Sequence, residues 1–349
     1  MKRKWGTKLA ASFLGLMLLM VGCAAPEEEA STPSSQTQES EASKEETQTE
    51  TGLPAALTVG VLKGPTGLGA LQVMEQAQHD ENLTMEVYTS SDEMVSALSS
   101  GTVDAACLPT NLAANLYQKT EGGVKIACVN TLGILSVVTN GETVNSIADL
   151  KGKTVVSSGQ GGVPEFAFNY ILEQNGLEAG KDVTVTYLSE HSEVAQQLMA
   201  GDATIAVLPE PFVTQVTTKQ PDCQVALDLT EEWDKVAGGS VLSMGCLVVK
   251  SDYLEDETNK EAFDRFLSLY QESVEFVNAN PVEAGQLSQT FSLMEAGVAE
   301  KAIPRCNIVY IAGKEMKERL TPFWQVLYDS NPASIGKALP DDNFYYEAE

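Results

Sequence analysis

Blocks of hydrophobic residues alternate with polar stretches along residues 57–108 and predict strands and helices in turn. The apolar run Leu57–Leu62 predicts a buried strand, and Lys63–Gly67 predicts a tight loop after it. Later blocks predict a helix, a strand, a helix and a strand, at Leu68–His79, Leu83–Tyr88, Glu93–Ser99 and Val103–Leu108. This β-α-β-α-β order is typical of a parallel sheet covered by helices.

The same order of elements returns in the next part of the chain. The blocks there predict a strand, a Gly-rich loop, a helix, a strand, a helix and a strand, at Lys153–Ser157, Ser158–Val163, Pro164–Gln174, Asp182–Leu188, Ser192–Met199 and Thr204–Leu208. Six residues recur 100 positions later, in the pairs Glu93/Glu193, Leu98/Leu198, Gly101/Gly201, Ala106/Ala206, Leu108/Leu208 and Pro109/Pro209. Helix–Gly–strand segments resemble one another in many proteins, but the matching order favours two lobes of like design.

Two more apolar runs, Leu132–Thr139 and Val241–Val249, lie on either side of the second series, and we expect them to be paired strands that cross between the lobes. A further helix is predicted over Lys260–Ala279, where large apolar residues recur at helical spacing. The predicted fold class is α/β, with two similar lobes, mainly parallel sheets and two crossing strands. The expected extents are 55–131 plus 247–349 for the first lobe and 132–246 for the second.

The N-terminal residues predict export. A cationic start precedes an apolar run, Leu9–Gly22, that is shorter than the roughly 20 residues needed to cross a bilayer. The run ends in Leu-Met-Val-Gly-Cys at residues 19–23, which resembles a bacterial lipobox. We therefore expect residues 1–22 to be a lipoprotein signal peptide and Cys23 to carry fatty acids such as palmitate. An ordinary signal peptide that precedes a cysteine is the alternative.

Residues 23–54 are dominated by Glu, Ser, Thr, Gln, Ala and Pro and contain no aromatic residue. Such a composition buries too little apolar surface to offset chain entropy, so we expect the lipid-bearing Cys23 to be followed by a disordered acidic tether. The protein is accordingly expected on the extracytoplasmic face of the cell membrane. Its folded body would extend from about residue 55 to residue 349.

Charge and cysteine content exclude several classes of protein. The chain has 22 Lys and Arg against 49 Asp and Glu, a net charge of −27, which argues against binding to nucleic acid or to anionic lipid surfaces. The five cysteines after Cys23 form no Cys-x-x-Cys or Cys/His cluster, so we expect no metal site and no cofactor. An odd number also gives no complete disulfide framework, and most should be small buried side chains.

Open α/β sheets bind ligands outside the carboxyl ends of their strands, and two facing lobes would share one such crevice. The residues at these strand ends are therefore the candidate ligand-binding residues. In the first lobe they are Lys63, Gly64, Thr66, Ser90, Ser91, Thr110 and Asn111. In the second lobe they are Ser158, Gln160, Gly161, Gly162, Glu190, His191 and Glu210.

Two groups of candidates indicate opposite chemistry. The Gly-rich turn at 158–162 precedes a predicted helix start, where free N–H groups and the helix dipole favour an anion, and Lys63 would add a positive charge. Glycines that simply permit a tight turn are the alternative. Glu190 and Glu210 would instead receive an amine, whereas a lone histidine such as His191 is more often structural or a hydrogen-bonding group than a catalyst.

Four aromatic residues near these turns have two interpretations. They would either stack on a planar ligand or pack in the core, and they are Tyr88, Phe166, Phe212 and Trp233. Core packing is the expected role of at least half of them.

Three segments resemble those of a known family, namely Lys-Gly-Pro-Thr-Gly at 63–67, Asp-Leu-Lys-Gly-Lys-Thr at 149–154 and Leu-Pro-Glu-Pro-Phe at 208–212. In this order they are similar to solute-binding lipoproteins of ABC transporters, of the nitrate, sulfonate and taurine type that also includes binders of thiamine-precursor pyrimidines. Residues 226–234 and 304–309 look like a Gram-positive, gut-type subset. The resemblance covers the chain from about residue 55 and implies the class II periplasmic-binding-protein fold, which closes over its ligand.

The resemblance implies transport rather than catalysis. It predicts the monomeric solute-binding subunit of an ABC importer, with a permease and an ATPase as partners. The Gly-rich turn and Lys63 favour a sulfonate, taurine or nitrate-like solute, while Glu210 and the aromatic residues favour a thiamine-type pyrimidine as the alternative. A ligand sensor without transport is a third reading. An enzyme is not expected, because the chain has only two histidines and no clustered cysteines.

Overall fold

The computed structural model describes residues 52–348. The predicted signal peptide, Cys23 and the tether up to residue 51 lie outside the described residues. The strands, in chain order, are β1 Leu57–Leu62, β2 Leu83–Tyr88, β3 Ala105–Pro109, β4 Val124–Leu132, β5 Leu135–Asn140, β6 Thr154–Ser158, β7 Thr184–Leu188, β8 Ile205–Pro209, β9 Cys223–Asp228, β10 Ser243–Lys250 and β11 Ile308–Ala312.

Helices cover both sheets. The α-helices are α1 Pro65–Gly69, α2 Leu71–Gln76, α3 Ser91–Ser100, α4 Thr110–Lys119, α5 Val163–Gln174, α6 His191–Ala200, α7 Phe212–Lys219, α8 Leu229–Val236, α9 Glu257–Ala279, α10 Pro281–Thr290, α11 Ala296–Ala302 and α12 Gly313–Ser330. Short 3₁₀ turns occur at Ala77–His79, Ile147–Leu150, Tyr253–Glu255, Ile303–Arg305, Pro332–Ile335 and Asp342–Phe344. None of the helices in the described range is long and apolar enough to cross a bilayer.

The strands form two separate sheets, and each sheet defines one lobe. The six-stranded sheet has the order β11-β4-β10-β3-β1-β2, and the five-stranded sheet has the order β7-β6-β8-β5-β9. In each sheet a β-α-β-α-β unit supplies three neighbouring parallel strands, β2-β1-β3 and β7-β6-β8. The two-lobed α/β fold predicted from the sequence is confirmed.

Both sheets are mixed, whereas mainly parallel sheets were predicted. β10 runs antiparallel to β3 and β4, and β5 runs antiparallel to β8 and β9. Each of these two strands starts at the edge where the parallel strands end, since Gly245 of β10 pairs with Pro109 of β3 and Leu135 of β5 pairs with Pro209 of β8. A strand that enters a sheet from that edge has to run against the parallel strands, which produces a mixed sheet.

The chain passes between the sheets twice. β4 leads into β5 through Gly133-Ile134, and the chain returns from α8 through residues 237–242 into β10. Residues 243–246, which the sequence assigned to the second lobe, belong to β10 and therefore to the six-stranded sheet. We define the first lobe as residues 52–132 plus 243–348 and the second as residues 135–236.

The residues shared by the two halves form the same structural parts in each. The Ser90 hydroxyl caps α3, and Glu190 and Glu193 form a capping box at the start of α6. Both helices are followed by a glycine in the left-handed conformation, Gly101 with φ 75° and Gly201 with φ 81°. The leucine matched between the two helices is buried in each of them. The offset of 100 residues therefore marks a repeated helix–strand unit.

The first helical segment differs from the prediction. Instead of a loop over 63–67 and one helix over 68–79, the chain forms α1 from Pro65, a break at Ala70 and then α2. Proline suits the first turn of a helix because an N–H there would have no partner within the helix. The turn before it depends on Gly64, whose φ of 130° favours glycine.

One hydrophobic cluster extends through both lobes. In it the ring of Trp233 on α8 lies 6.1 Å from the ring of Phe323 on α12, measured between centroids. Trp233 is fully buried and its Nε1–H donates to the Ser240 carbonyl at 2.8 Å. Phe166 is also buried in this cluster. Two of the four aromatic candidates therefore pack in the core, in agreement with the prediction for at least half of them.

The cysteines of the body are small buried side chains, as predicted. All five are buried and unpaired, at positions Cys107, Cys128, Cys223, Cys246 and Cys306. No group of three or more His, Cys, Asp or Glu side chains within residues 52–348 is arranged to hold a metal ion.

The folded body begins before the predicted end of the tether. Leu53, which the sequence assigned to the tether, is only 3% exposed. Its N–H donates to Asp80 Oδ2 at 2.8 Å, and its carbonyl accepts from Asn82 Nδ2 at 2.7 Å. The composition averaged over residues 23–54 is polar, so it does not show that Leu53 is buried in the core.

Candidate functional site

A cavity of about 200 Å³ lies between the two lobes, at the carboxyl ends of strands from both sheets. We call it the cleft cavity. Its first-lobe wall includes Lys63–Thr66, Thr89, Ser91 and Pro109. Its second-lobe wall includes Pro164, His191 and Pro209–Phe212. The carboxyl ends of strands in open α/β sheets are the usual position of a ligand site.

The first-lobe wall contains the short turn between β1 and α1. The Thr66 hydroxyl donates to the Leu62 carbonyl and accepts from the Leu62 N–H, both at 3.2 Å. With 8% exposure, Thr66 mainly holds the turn in shape. Lys63 beside it has an exposed side chain, and its N–H donates to the Tyr88 carbonyl at 3.0 Å. The turn therefore presents one cationic side chain next to the cleft cavity.

Glu210 is the buried acid of the cleft cavity. It is only 5% exposed, and its Oε2 accepts the Thr214 N–H from the first turn of α7 at 3.0 Å. Burial raises the pKa of Glu210, whereas hydrogen bonds from Thr214 and the positive charge of Arg305 act in the opposite direction. Its backbone N–H donates to the Ile134 carbonyl of the first crossing segment at 2.9 Å. A desolvated carboxylate is stabilised by any cationic group that a ligand brings.

His191 begins α6 and forms another part of the second-lobe wall. Its Nδ1 is hydrogen-bonded to the hydroxyl of Ser158, a buried residue at the end of β6. Its ring centroid lies 5.6 Å from that of Phe212, which also lines the cavity. Burial lowers the pKa of His191 to about 4, so the ring is neutral at neutral pH. His191 is thus an uncharged hydrogen-bonding group of the cavity.

The cleft cavity combines two side chains of opposite charge with many apolar groups. Lys63 belongs to the first-lobe wall and Glu210 to the second. The remaining lining includes five prolines, Phe212 and Met244. Apolar walls with a few placed polar groups are typical of small-molecule sites, where the polar groups set the orientation of the ligand. The arrangement suits a small solute with an acidic group, a basic group or both.

Eight of the fourteen candidate residues do not line the cleft cavity, and among them are Ser90, Glu190 and Thr110, which have partners within the protein. Ser90 accepts the Glu93 N–H at 3.2 Å as the cap of α3, and Glu190 is an exposed residue of the capping box of α6. The Thr110 hydroxyl lies 2.9 Å from the Ser243 hydroxyl, and both residues are buried. Capping and a long-range hydrogen bond engage these side chains, and their contact with a ligand stays a prediction.

The Gly-rich turn before α5 also makes its contacts within the protein. The Gly161 N–H donates to Glu165 Oε2 at 2.6 Å, so a carboxylate of α5 occupies the position expected for a ligand anion. The Gly161 carbonyl accepts from Nδ2 of the buried Asn111 at 3.1 Å, which links the lobes. The cavity lining includes Pro164 of this segment but not Gln160, Gly161 or Gly162. The turn therefore differs from the expected anion site.

Sequence reasoning missed the part of the cavity formed next to the crossing segments. Thr131, Ile134, Met244 and Gly245 line it there. They lie in or beside two apolar runs that the sequence did identify as crossings, so the signal was present but was interpreted only as a hinge. Gly245 has a steric role, because a Cβ atom at this position would lie 2.7 Å from Asn130 Oδ1.

Known proteins share this sequence pattern. Residues 71–243 match the family model described as ABC transporter, phosphonate, periplasmic substrate-binding protein. A binding protein of Brucella abortus is 25% identical over 231 residues, which cover 61% of this chain and 63% of the relative. The chain thus spans less than two thirds of the length of the curated relatives it matches.

Solved structures share the fold. An ABC transporter protein from Parabacteroides distasonis gives a TM-score of 0.71 at 24% identity, covering 84% of this chain and 100% of that chain. The periplasmic aliphatic sulphonate binding protein of Escherichia coli gives 0.66 at 16% identity, covering 85% and 93%. The two lobes therefore have the fold of periplasmic binding proteins. The family match over residues 71–243 agrees with this fold and confirms the resemblance to substrate-binding proteins of ABC transporters that the sequence indicated.

Proposed function

We propose that this chain is the extracytoplasmic solute-binding subunit of an ABC importer and captures a small zwitterionic or anionic organic solute of the sulfonate, taurine or nitrate class. The observation that carries the proposal is the pair of opposite charges, Lys63 and Glu210, on facing walls of the cleft cavity. The family model, whose description names phosphonate, and the likeness to an aliphatic sulphonate binding protein both favour an organic solute with an acidic oxyanion group.

Glu210 favours a zwitterion over a simple anion. The carboxylate is buried and pays a desolvation cost, and a ligand ammonium group would offset part of that cost. The acidic group of the same solute would then be directed towards Lys63. A nitrate-sized anion would pair with Lys63 but has no cationic group for Glu210, so we expect it to bind more weakly than taurine.

Capture proceeds by closure of the two lobes. A solute that contacts both walls gains part of its contacts only in the closed arrangement, and it therefore shifts the population towards closure. Contacts between the lobes support a closed arrangement in this structure. They include the hydrogen bond from Asn111 to Gly161 and the packing of Trp233 against Phe323.

A planar heterocycle, such as a thiamine-precursor pyrimidine, is the second candidate solute. The rings of Phe212 and His191 lie at one wall of the cavity with their centroids 5.6 Å apart. They offer aromatic surface to a flat ring, and Glu210 would accept a hydrogen bond from an amino substituent.

A thermal-shift screen of the purified protein separates the candidates. The probes are taurine, ethanesulfonate, 2-aminoethylphosphonate, nitrate and an aminopyrimidine. A ligand at 100 times its dissociation constant stabilises the folded state by about 2.7 kcal/mol, which raises the melting temperature by several degrees. Stabilisation by taurine or aminoethylphosphonate supports the zwitterion, and stabilisation by the aminopyrimidine alone supports the heterocycle. If none of the five probes stabilises the protein, both candidate solutes are wrong.

Matched variants test the two charges. Lys63→Ala and Glu210→Gln are each expected to lower the affinity for the probe that binds best. Lys301→Ala and Glu173→Gln alter exposed residues outside the cavity and should leave that affinity unchanged. Unchanged affinity in both cavity variants would refute the assignment of the site.

We further propose, from the sequence, that the chain is held at the membrane by a lipid on Cys23, acts as a monomer and delivers its solute to a permease and an ATPase. Cys23→Ser is expected to release the protein into the medium or to leave it without lipid. Membrane retention with normal acyl labelling would argue against the anchor. Uptake of labelled solute that is unaffected by deletion of the gene would favour a sensor over a transport subunit.

A further inference from the structure

Ser158 and His191 form a pair at the second-lobe wall that the proposed function has so far left unused. Ser158 is the last residue of β6, is 1% exposed and does not line the cleft cavity. His191 is the first residue of α6 and does line it. The serine hydroxyl and the histidine Nδ1 are hydrogen-bonded to each other. The buried hydroxyl therefore engages Nδ1 of the ring, and Nε2 is the nitrogen that it leaves unengaged.

The hydrogen-bond partners of Ser158 decide the direction of this bond. A hydroxyl has one hydrogen to donate, and a neutral imidazole has one N–H and one bare nitrogen. Among the described residues, His191 Nδ1 is the only partner of the Ser158 hydroxyl. If Nδ1 carried the ring hydrogen, the buried serine hydrogen would have no acceptor, which is unfavourable for a buried donor. The serine therefore donates to Nδ1, and the ring hydrogen resides on Nε2.

Two features keep the ring neutral. Burial disfavours the imidazolium, because a charged ring would lose its hydration. The ring also belongs to the first residue of α6, and the amino end of a helix carries partial positive charge that disfavours a second cation. Since both effects act against protonation, His191 retains one donor and one acceptor nitrogen.

We infer that Ser158 is a positioning residue for solute recognition, because it holds His191 in the Nε2-protonated tautomer and thereby presents a neutral N–H donor to the solute. The same wall then offers a donor at His191 and an acceptor at Glu210. A solute that carries both an acidic oxygen and an ammonium group matches this pair. That a solute accepts this N–H rests on the proposed function. The tautomer of His191 is a property of the ligand-free protein and does not depend on that function.

Nitrogen NMR of the ligand-free protein tests the tautomer. The chain has two histidines, His79 and His191, so a His79→Gln background leaves a single imidazole in the ¹⁵N–¹H correlation spectrum. At pH 7 we expect a protonated Nε2 and a bare Nδ1. Ser158→Ala removes the donor to Nδ1, and the ring is then expected to populate both tautomers. A protonated Nδ1 in the parent spectrum, or an unchanged spectrum in Ser158→Ala, overturns the inference.

A pair of substitutions at His191 tests the use of the donor, with taurine as the probe. The amide nitrogen of glutamine reaches the position of Nε2, whereas that of asparagine reaches only the position of Nδ1. We expect His191→Gln to bind taurine within a few-fold of wild type, and His191→Asn and Ser158→Ala to bind roughly 10-fold more weakly, as for one lost hydrogen bond. Equal affinity of the Gln and Asn variants overturns the donor role.

The two experiments separate failure of the inference from failure of the proposed function. If wild-type protein does not bind taurine but shows the Nε2-protonated ring, the proposed solute is wrong and the positioning of His191 by Ser158 stands. If wild-type protein binds taurine but shows the Nδ1-protonated ring, the proposed function stands and the inference fails.

Discussion

The two halves of the molecule use the same backbone plan with different chemistry at the cleft. β3 ends at Pro109 and β8 ends at Pro209, and both prolines line the cleft cavity. The next residue is Thr110 in the first lobe, whose hydroxyl is engaged by Ser243. In the second lobe it is Glu210, which lines the cavity as a buried acid.

The helix starts show the same contrast. α3 begins at Ser91 and α6 begins at His191, and both residues line the cleft cavity. The parts that shape each unit are shared, including the left-handed glycine at the end of each helix. The residues that face the cavity differ. The comparison indicates that the repeated unit supplies the framework, and we propose that the second lobe supplies most of the groups that discriminate between ligands.

The shared framework is tested by removing the same buried side chain from both halves. Leu98 and Leu198 are 1% and 0% exposed, so Leu98→Ala and Leu198→Ala should each lower the free energy of unfolding by about 2–5 kcal/mol. Urea denaturation measures both losses, with the exposed Leu339→Ala as a control. A large loss in one helix and a negligible loss in the other would break the equivalence of the two units.

The difference in ligand chemistry between the two lobes is tested at Thr110 and Glu210, the residues that follow the two prolines. Glu210→Gln should lower the affinity for taurine by about 2–4 kcal/mol, roughly 30- to 1,000-fold, because it removes a buried charge partner. Thr110→Ala should leave the affinity unchanged and cost about 1–3 kcal/mol of stability, because the buried Ser243 hydroxyl loses its partner. Calorimetric titration and urea denaturation measure the two effects. Equal losses of affinity would contradict this difference.

The pH dependence of stability sharpens the contrast between His191 and Ser91. Unfolded His191 binds a proton below its ordinary pKa of 6.5, whereas the folded residue does so only near its lowered pKa of about 4. The unfolded state therefore binds more protons in this window, and stability falls as the pH falls from 6.5 towards 4. His191→Ser should remove up to about 3 kcal/mol of this loss. Urea denaturation at several pH values should show a shallower slope in His191→Ser than in the wild type.

The smallest expected effects concern the matched glycines after α3 and α6. Their positive φ angles of 75° and 81° are strained for other residues, so Gly101→Ala and Gly201→Ala should each cost about 1–2 kcal/mol. Gly297→Ala on α11 has open space around its Cβ and no positive φ, and it should be neutral or stabilising. Thermal unfolding that leaves either of the first two variants as stable as wild type would show that its helix end is not held as described.

Local patterns were enough to predict the repeated elements and several residues that line the cleft cavity. Alternating blocks and strand ends led to Lys63, Ser91, His191 and Glu210, which all line the cleft cavity. These residues follow strands whose apolar character is visible in the sequence, and the carboxyl ends of such strands meet at one edge.

Other candidate residues make contacts that no local pattern contains. Thr110 is paired with Ser243, 133 positions away, and Asn111 donates to the carbonyl of Ser334, 223 positions away. A strand-end position alone does not show whether a side chain faces the cleft or a distant partner. The mixed sheets were missed for the same reason, because the direction of β10 follows from its return from the second lobe.

The hydrogen bond from the Glu210 N–H to the Ile134 carbonyl attaches the buried acid to the first crossing segment. When two rigid bodies rotate about a connecting strand, atoms beside that axis travel least. In the proposed closure, Glu210 would therefore move little relative to the crossing segment, whereas Lys63 would be carried in on the first lobe. A solute of the proposed class would then contact Glu210 and His191 of the second lobe first and Lys63 last, and release would follow the reverse order.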